Sequence, residues 1–199
     1  MTDAEFTNFV RSILNEFGQE VFWTDEELEV YKKLAITTVV SKFAHLLKDR
    51  YQKYALIDAS PTTIPLPSDC FLVISVSRAS DGAILPKVPH DLFFEYNKIE
   101  SDAPIAWGYV NNELMFFPAP KDTIENYAYI WYLPKIDSLD KLHEALHPLV
   151  ALITITYGKA KDDNFLAVLE KRIDEAERAA MIALTGAETT YTLYLKDGL

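Results

Sequence analysis

The chain is poor in the residues that most chemistry requires. It has one cysteine, six glycines and four histidines in 199 residues. The lone Cys70 excludes an intrachain disulfide and fits a reducing, intracellular compartment. It follows Asp69 at the head of a β-prone stretch, where a small buried hydrophobe is expected rather than a nucleophile. The glycines do not cluster, so no glycine-rich phosphate loop is available. Basic charge is scarce as well: 19 basic residues face 30 acidic ones, for a net charge of −11. The densest basic group, Lys48, Arg50 and Lys53, is interrupted by Asp49, which excludes a broad surface gripping nucleic-acid phosphate. No apolar run approaches bilayer length, and the acidic start Met1-Thr2-Asp3-Ala4-Glu5 leads into an amphipathic helix, not a signal peptide.

What the chain has is apolar and aromatic surface. Apolar residues make up 49% of it, with 11 Tyr and 11 Phe, enough for one ordinary domain with a real core and for interfaces. Phe6, Phe9, Val10, Ile13, Leu14 and Phe17 recur at helical spacing, and Gly18 stands where a helix would close. The pattern predicts a helix over residues 3–17. Thr24-Asp25-Glu26-Glu27 is a capping box, flanked by Trp23 and Leu28 at the positions of a hydrophobic staple. A second helix is expected to run from there to about Leu56, with Leu28, Tyr31, Ala35, Val39, Phe43, Leu46 and Leu47 inward, and Pro61 ending the helical region. His45 on that helix and His90 further on are expected as surface or capping residues.

A β module over residues 62–134 follows. Residues 70–77 place Leu72, Ile74 and Val76 on one face and Ser75 and Ser77 on the other. Asp81-Gly82 predicts a turn, Ile84-Leu85 a short return strand, and Pro89 to Phe94 a short helix. Strands at 105–110 and 113–117 flank Asn111-Asn112, which tolerates the positive φ of a hairpin turn, and a last strand ends at Pro134. Such short connections allow only antiparallel pairing, as a meander or a small sandwich. Two more helices are expected at about 140–160 and 162–184, the second capped by Asp162, Asp163 or Asn164, lined by Phe165, Leu169, Ile173, Ala176 and Ala180, and ended by Gly186. The tail, residues 186–199, carries the β-prone run Thr189 to Leu195. Its Tyr191, Leu193, Tyr194 and Leu195 are the candidate interface residues, either completing the sheet or adding a strand to a neighbouring subunit. The fold class expected is α+β: a bundle of N- and C-terminal helices (within residues 3–57 and 140–184) around a central small antiparallel module, in a single domain over residues 1–199.

One stretch imitates an active site. His143-Glu144-Ala145-Leu146-His147 matches the H-E-x-x-H pattern, which needs both histidines one helical turn apart on a shared face. Pro148 follows directly and would distort that helix where it must be most regular. The metzincin continuation would place Gly and His where Val150 and Ile153 stand, and Leu166 and Ala167 occupy the region of the thermolysin-type glutamate ligand. A polar, partly exposed helix start is the better reading, with no cofactor, no metal and no catalytic residues assigned. Ser68-Asp69-Cys70 likewise lacks the context of a nucleophile elbow.

The order of the β segment carries a resemblance. Ile64-Pro65-Leu66-Pro67-Ser68-Asp69-Cys70, then Ile84-Leu85-Pro86, Pro104, Leu114-Met115-Phe116-Phe117-Pro118-Ala119-Pro120 and Tyr127 to Pro134 stand between the Trp23–Leu28 helix start and a final helical pair from near Leu142. Over about residues 23–184 this resembles the head–tail adaptor (connector) proteins of tailed bacteriophages. The resemblance implies a structural virion protein of the neck, made in the host cytoplasm, and not an enzyme. It implies a ring of roughly a dozen copies that docks beneath the portal protein, receives a tail or stopper protein and lets DNA pass without specific binding. The alternatives are a tail-completion or terminator protein of the same virion and, from another class, a zinc metallopeptidase using His143, Glu144 and His147.

Overall fold

The computed structural model describes residues 1–16, 23–99, 101–158 and 163–186. The chain divides into two compact units, residues 1–46 with 136–199 and residues 47–135. The architecture is α+β, as the residue pattern predicts.

The first unit is helical. Helix α1 spans Asp3–Glu16, α2 Asp25–Tyr51, α4 His147–Gly158 and α5 Asp163–Thr185; α3, in the other unit, is described below. Two reciprocal capping boxes start the first two helices. Glu27 N–H donates to Thr24 Oγ1 at 3.2 Å and Thr24 N–H to Glu27 Oε2 at 2.9 Å, while Thr2 and Glu5 repeat the arrangement at 3.3 and 2.7 Å. Trp23 lies against Tyr31, ring centroids 5.6 Å apart. Phe6, Val10 and Ile13 of α1 are buried and Phe9 is exposed; Phe17 and Gly18 lie outside the described residues. Helix α4 is apolar almost all round, with Leu149, Val150, Ala151, Leu152 and Ile155 buried, so it must be enclosed by neighbours. Its buried Thr154 hydroxyl is satisfied by the Val150 carbonyl at 2.8 Å. Helix α2 supplies polar ties to each of the other three: Lys32 to Asp3 of α1, Thr38 to Tyr157 of α4, and Lys42 to Glu177 of α5. Lys32 is only 5% exposed; burial lowers its pKa, but the bonds to Glu29 and Asp3 outweigh that and hold it above its usual value, as a charged ammonium. Gly186, at φ +65°, ends α5 by donating to the Ile182 carbonyl.

The sequence pattern places helix as far as about Leu56, yet α2 stops at Tyr51 and Lys53–Ala59 forms strand β1. The β module therefore starts at residue 53, not 62. Leu46 and Leu47 continue the helical stripe, but beyond them Ala55, Ile57 and Ala59 follow a period of two. Pairing of β1 with a strand some seventy residues away decides between them, a partner invisible to local periodicity.

The second unit contains two antiparallel sheets. The larger has the order β1-β6-β2-β3, with β2 at Cys70–Arg78, β3 at Ile84–Leu85 and β6 at Ile124–Pro134; the smaller pairs β4, Ala106–Val110, with β5, Glu113–Phe117. Because β6 lies between β1 and β2, the larger sheet is not a simple meander. The sandwich alternative describes it: Val73, Val76, Leu85, Ala128, Ile130 and Tyr132 of the larger sheet share one core with Trp107, Leu114 and Phe116 of the hairpin. Asn111 and Asn112, at φ 51° and 65°, make the two-residue hairpin turn that the dipeptide predicts. The short helix also forms, as a 3₁₀ turn at His90–Leu92 running into α3, Phe93–Tyr96. One face assignment is corrected. Irregularities between Cys70 and Leu72 and between Val73 and Ser75 shift the alternation of β2, so Val73 and Val76 are buried and Leu72 is exposed.

Asp69 ties three strands together. Its carboxylate accepts from Lys53 Nζ of β1 at 2.8 Å and from the Tyr132 hydroxyl of β6 at 2.9 Å, while its carbonyl accepts from Lys135 N–H at 2.7 Å. The Lys53 bond, aided by Tyr132 against partial desolvation, holds the carboxyl below its ordinary value. A depressed pKa contributes stability above the unfolded value that is lost as pH falls through the folded one. Asp69→Asn should therefore cost about 1 kcal/mol at neutral pH, and in urea melts the difference from wild type should shrink as pH falls below the unfolded-state value of about 3.9; a pH-independent difference would count against this role. A Cβ on Gly108 would stand 2.7 Å from the Phe93 ring, which packs on Phe117 with centroids 4.4 Å apart. Gly108→Ala should lower stability by about 1–2 kcal/mol in the same assay.

Candidate interaction surface

Two local devices dismantle the apparent metal motif. The first histidine is not in a helix: His143 has φ −59° and ψ 133°, and caps a 3₁₀ turn over Glu144–Leu146 by accepting the Ala145 N–H at Nδ1, 3.2 Å away. Helix α4 begins only at His147, so the two imidazoles do not share a helical turn. The expected helix over 140–160 is in fact two 3₁₀ turns, Leu139–Lys141 and Glu144–Leu146, followed by α4. Pro148 fits the break although His147 before it is helical: it has no N–H to bond back to the Glu144 carbonyl and its ring would meet that carbonyl, so it stands in the first turn of α4 rather than inside a longer helix.

His147 is buried, and its Nε2 lies 2.9 Å from the Leu139 carbonyl and 3.1 Å from the Leu142 carbonyl. Two acceptors at one ring nitrogen require the proton there, which removes the lone pair a metal would need. Nδ1 lies 3.3 Å from the Met1 amino group. The histidine is thus a structural donor pinning the turns that lead into α4. Among the described residues no group of three or more His, Cys, Asp or Glu is placed to hold a metal ion. Cys70 is half-buried, and burial together with the neighbouring Asp69 charge pushes its thiol up, the opposite of what a nucleophile requires. His45 and His90 are exposed, and His90 stacks on Phe93 at 4.9 Å.

Tyr191, Leu193, Tyr194 and Leu195 lie outside the described residues. The surface that stands out among those described is one the periodicity did not single out: the outer face of the larger sheet. With Ala55, Ile57, Ala128 and Ile130 turned to the core, alternation turns Tyr54, Leu56, Tyr129 and Trp131 outward. The pairing register lines up Leu56, Tyr129, Ser77 and Ile84 across all four strands, and Tyr54, Trp131 and Ser75 beside them. Tyr54 is 63% exposed and Ile84 75%, with Leu56 and Leu72 also exposed. Tyr54 packs edge-on against Tyr129, centroids 5.9 Å apart, and against Trp131 at 5.2 Å, so the rings are ordered by one another. The Trp131 indole N–H reaches Ser77 Oγ at 3.3 Å. Nearby charges are already engaged, Lys53 with Asp69 and Asp58 with the Asn126 N–H. The result is a partly exposed aromatic strip with no charged side chain among its members, a property of binding surfaces.

Acidic charge is unevenly shared. The helical unit holds 19 acidic and 11 basic residues and the β unit 11 and 8, so the helical unit carries net −8 and the β unit −3.

A family model described as SU10 adaptor protein matches residues 1–193. No curated protein matches the chain.

The two readings of the histidine motif separate cleanly by mutation. His147→Ala should cost about 2 kcal/mol, because it strands the buried Leu142 carbonyl, Leu139 keeping the Leu142 N–H, whereas His143→Ala should cost under about 1 kcal/mol. Denaturant melts measure both. Stoichiometric zinc in purified protein, lost on His143→Ala, would instead restore the peptidase reading.

Proposed function

The chain belongs to the SU10 adaptor protein family, which is a family of structural phage adaptors and not of enzymes, and from that premise we propose a specific place for it in the virion. Roughly a dozen copies form a closed ring that docks beneath the portal protein, extends the DNA channel and offers its far side to a tail or stopper protein. The protein assembles in the host cytoplasm and remains in the neck of the finished particle. The family match over nearly the whole chain is the observation that carries this reading.

Charge supports it. A net −11 per copy, repeated around a ring, gives a strongly acidic annulus. Such a wall repels phosphate, so DNA slides past without being held. Salt limits the reach of each acid to about 8 Å, so only acids at the lumen act, and the helical unit, with net −8, is the richer source of them. Contacts to sister copies and portal then fall to apolar and aromatic surface: the strip on the outer sheet face and, in the same role, Tyr191, Leu193, Tyr194 and Leu195 of the tail. Residues 1–199 act as one adaptor domain in this arrangement.

Electron microscopy of the protein mixed with its portal should show a ring coaxial with the portal. A sixfold ring that co-purifies with tails rather than portal would replace this reading with tail completion. Deleting residues 188–199 should weaken association with portal about ten-fold or more, measured by co-sedimentation; unchanged assembly would reject the role given to the tail.

A further inference from the structure

We propose that the outer face and open edge of the four-stranded sheet receive the C-terminal segment of a second copy of this chain, by addition of a strand beside β1. This rests on the ring reading above and names the surface that receives the tail.

The receiving site has two parts. Strand β1 is at the end of the order β1-β6-β2-β3 and, among the described residues, pairs with β6 alone, so one row of its backbone donors and acceptors is without a strand partner. Beside that edge, Tyr54 and Leu56 project from β1 onto the same face as Tyr129 and Trp131. An open edge next to an apolar face is the combination that proteins ordinarily cover or blunt with charge. Here Lys53, at one end of β1, is paired with Asp69, Asp58 at the other end bonds the Asn126 N–H, and the residues between them, Tyr54 to Ile57, carry no charge.

The occupant is fitted to it by length and pattern. Thirteen residues, 187–199, follow the end of α5 at Gly186, and fully extended they reach roughly 40 Å. Within them Tyr191, Leu193 and Leu195 recur at every second position, among the β-favouring Thr189, Thr190 and Thr192. No proline interrupts the run, and residues 189–195 carry no charge, matching the uncharged residues of the strip. Strand addition supplies main-chain hydrogen bonds for affinity, and alternate side chains dock on the exposed face for specificity. In a ring the neighbouring copy offers this segment at high effective concentration, so even a modest site is filled.

A fluorescein-labelled peptide of residues 187–199, titrated into the full-length chain, should bind saturably. Leu56→Asp, at an exposed position where the fold is kept (checked by circular dichroism), should weaken that binding about ten-fold or more. No saturable binding, or equal binding to both chains, overturns the proposal. This arm needs no ring, so its failure is distinguishable from failure of the ring reading, which microscopy with portal reports. In assembled rings on a Cys70→Ala background, one tagged copy carrying Leu56→Cys and another carrying Leu193→Cys should form a mixed disulfide. Its yield should be about ten-fold above that with the cysteine moved to Lys121, in the exposed loop before β6. Rings whose mixed disulfide does not exceed that control would overturn it as well.

Discussion

Strand β6 is paired along both edges, and the β unit is organised by that fact. Its residues bond to β1 on one side and to β2 on the other, so strands that start at residues 53 and 70 must meet one that starts at 124. These contacts are far apart in sequence, and closing such loops costs entropy that only a buried face can offset. Alternation along β6 provides that face: Ala128, Ile130 and Tyr132 enter the core shared with the hairpin. The same alternation necessarily sends Tyr129 and Trp131 the other way. The outward aromatic strip is therefore a consequence of how the core is built, and the exposed Tyr54 and Leu56 extend it because β1 is held in register by β6.

The helical unit is organised differently. An apolar helix, α4, has almost no face fit for water, so α1 and α5 pack against it and α2 reaches it through the Thr38–Tyr157 bond. Packing of this kind is permissive about angle and register, and the polar ties from α2 add direction. Lys32 shows the cost of such a tie. A buried ammonium is tolerable only because Asp3 and Glu29 both bond to it. His147 plays a comparable part at the entry to α4, where the successive 3₁₀ turns leave the Leu142 carbonyl in need of a donor and the Leu139 carbonyl, already bonded to the Leu142 N–H, takes a second.

An adaptor works through its surfaces, and this molecule fits that economy. His90, His143, His147 and Cys70 are absorbed into ring contacts, capping and packing, while Tyr54, Leu56 and Ile84 stand exposed together on one sheet face. Acid is concentrated in the helical unit, which suits a protein past which a polyanion must move without adhering. The resemblance read from the order of short proline-marked strands and the family match over residues 1–193 agree, although no single motif in that order is distinctive.

Much of the fold was legible because it is set by neighbours in the chain. The capping box at Thr24 and Glu27, the Asn111-Asn112 turn, the glycine stop at Gly186 and the α+β class all follow from backbone rules acting over a few residues. The break before α4 was foreshadowed by Pro148, whose missing N–H and ring clash with the preceding turn are equally local. Long-range pairing decided the rest. Whether Lys53–Ala59 continued a helix or became a strand depended on β6, and whether Leu72 faced in or out depended on irregularities in the β2–β6 register. The aromatic strip lay beyond sequence reading for the same reason. Its members come from separate strands, and only hydrogen bonds between distant segments fix which side chains stand next to one another.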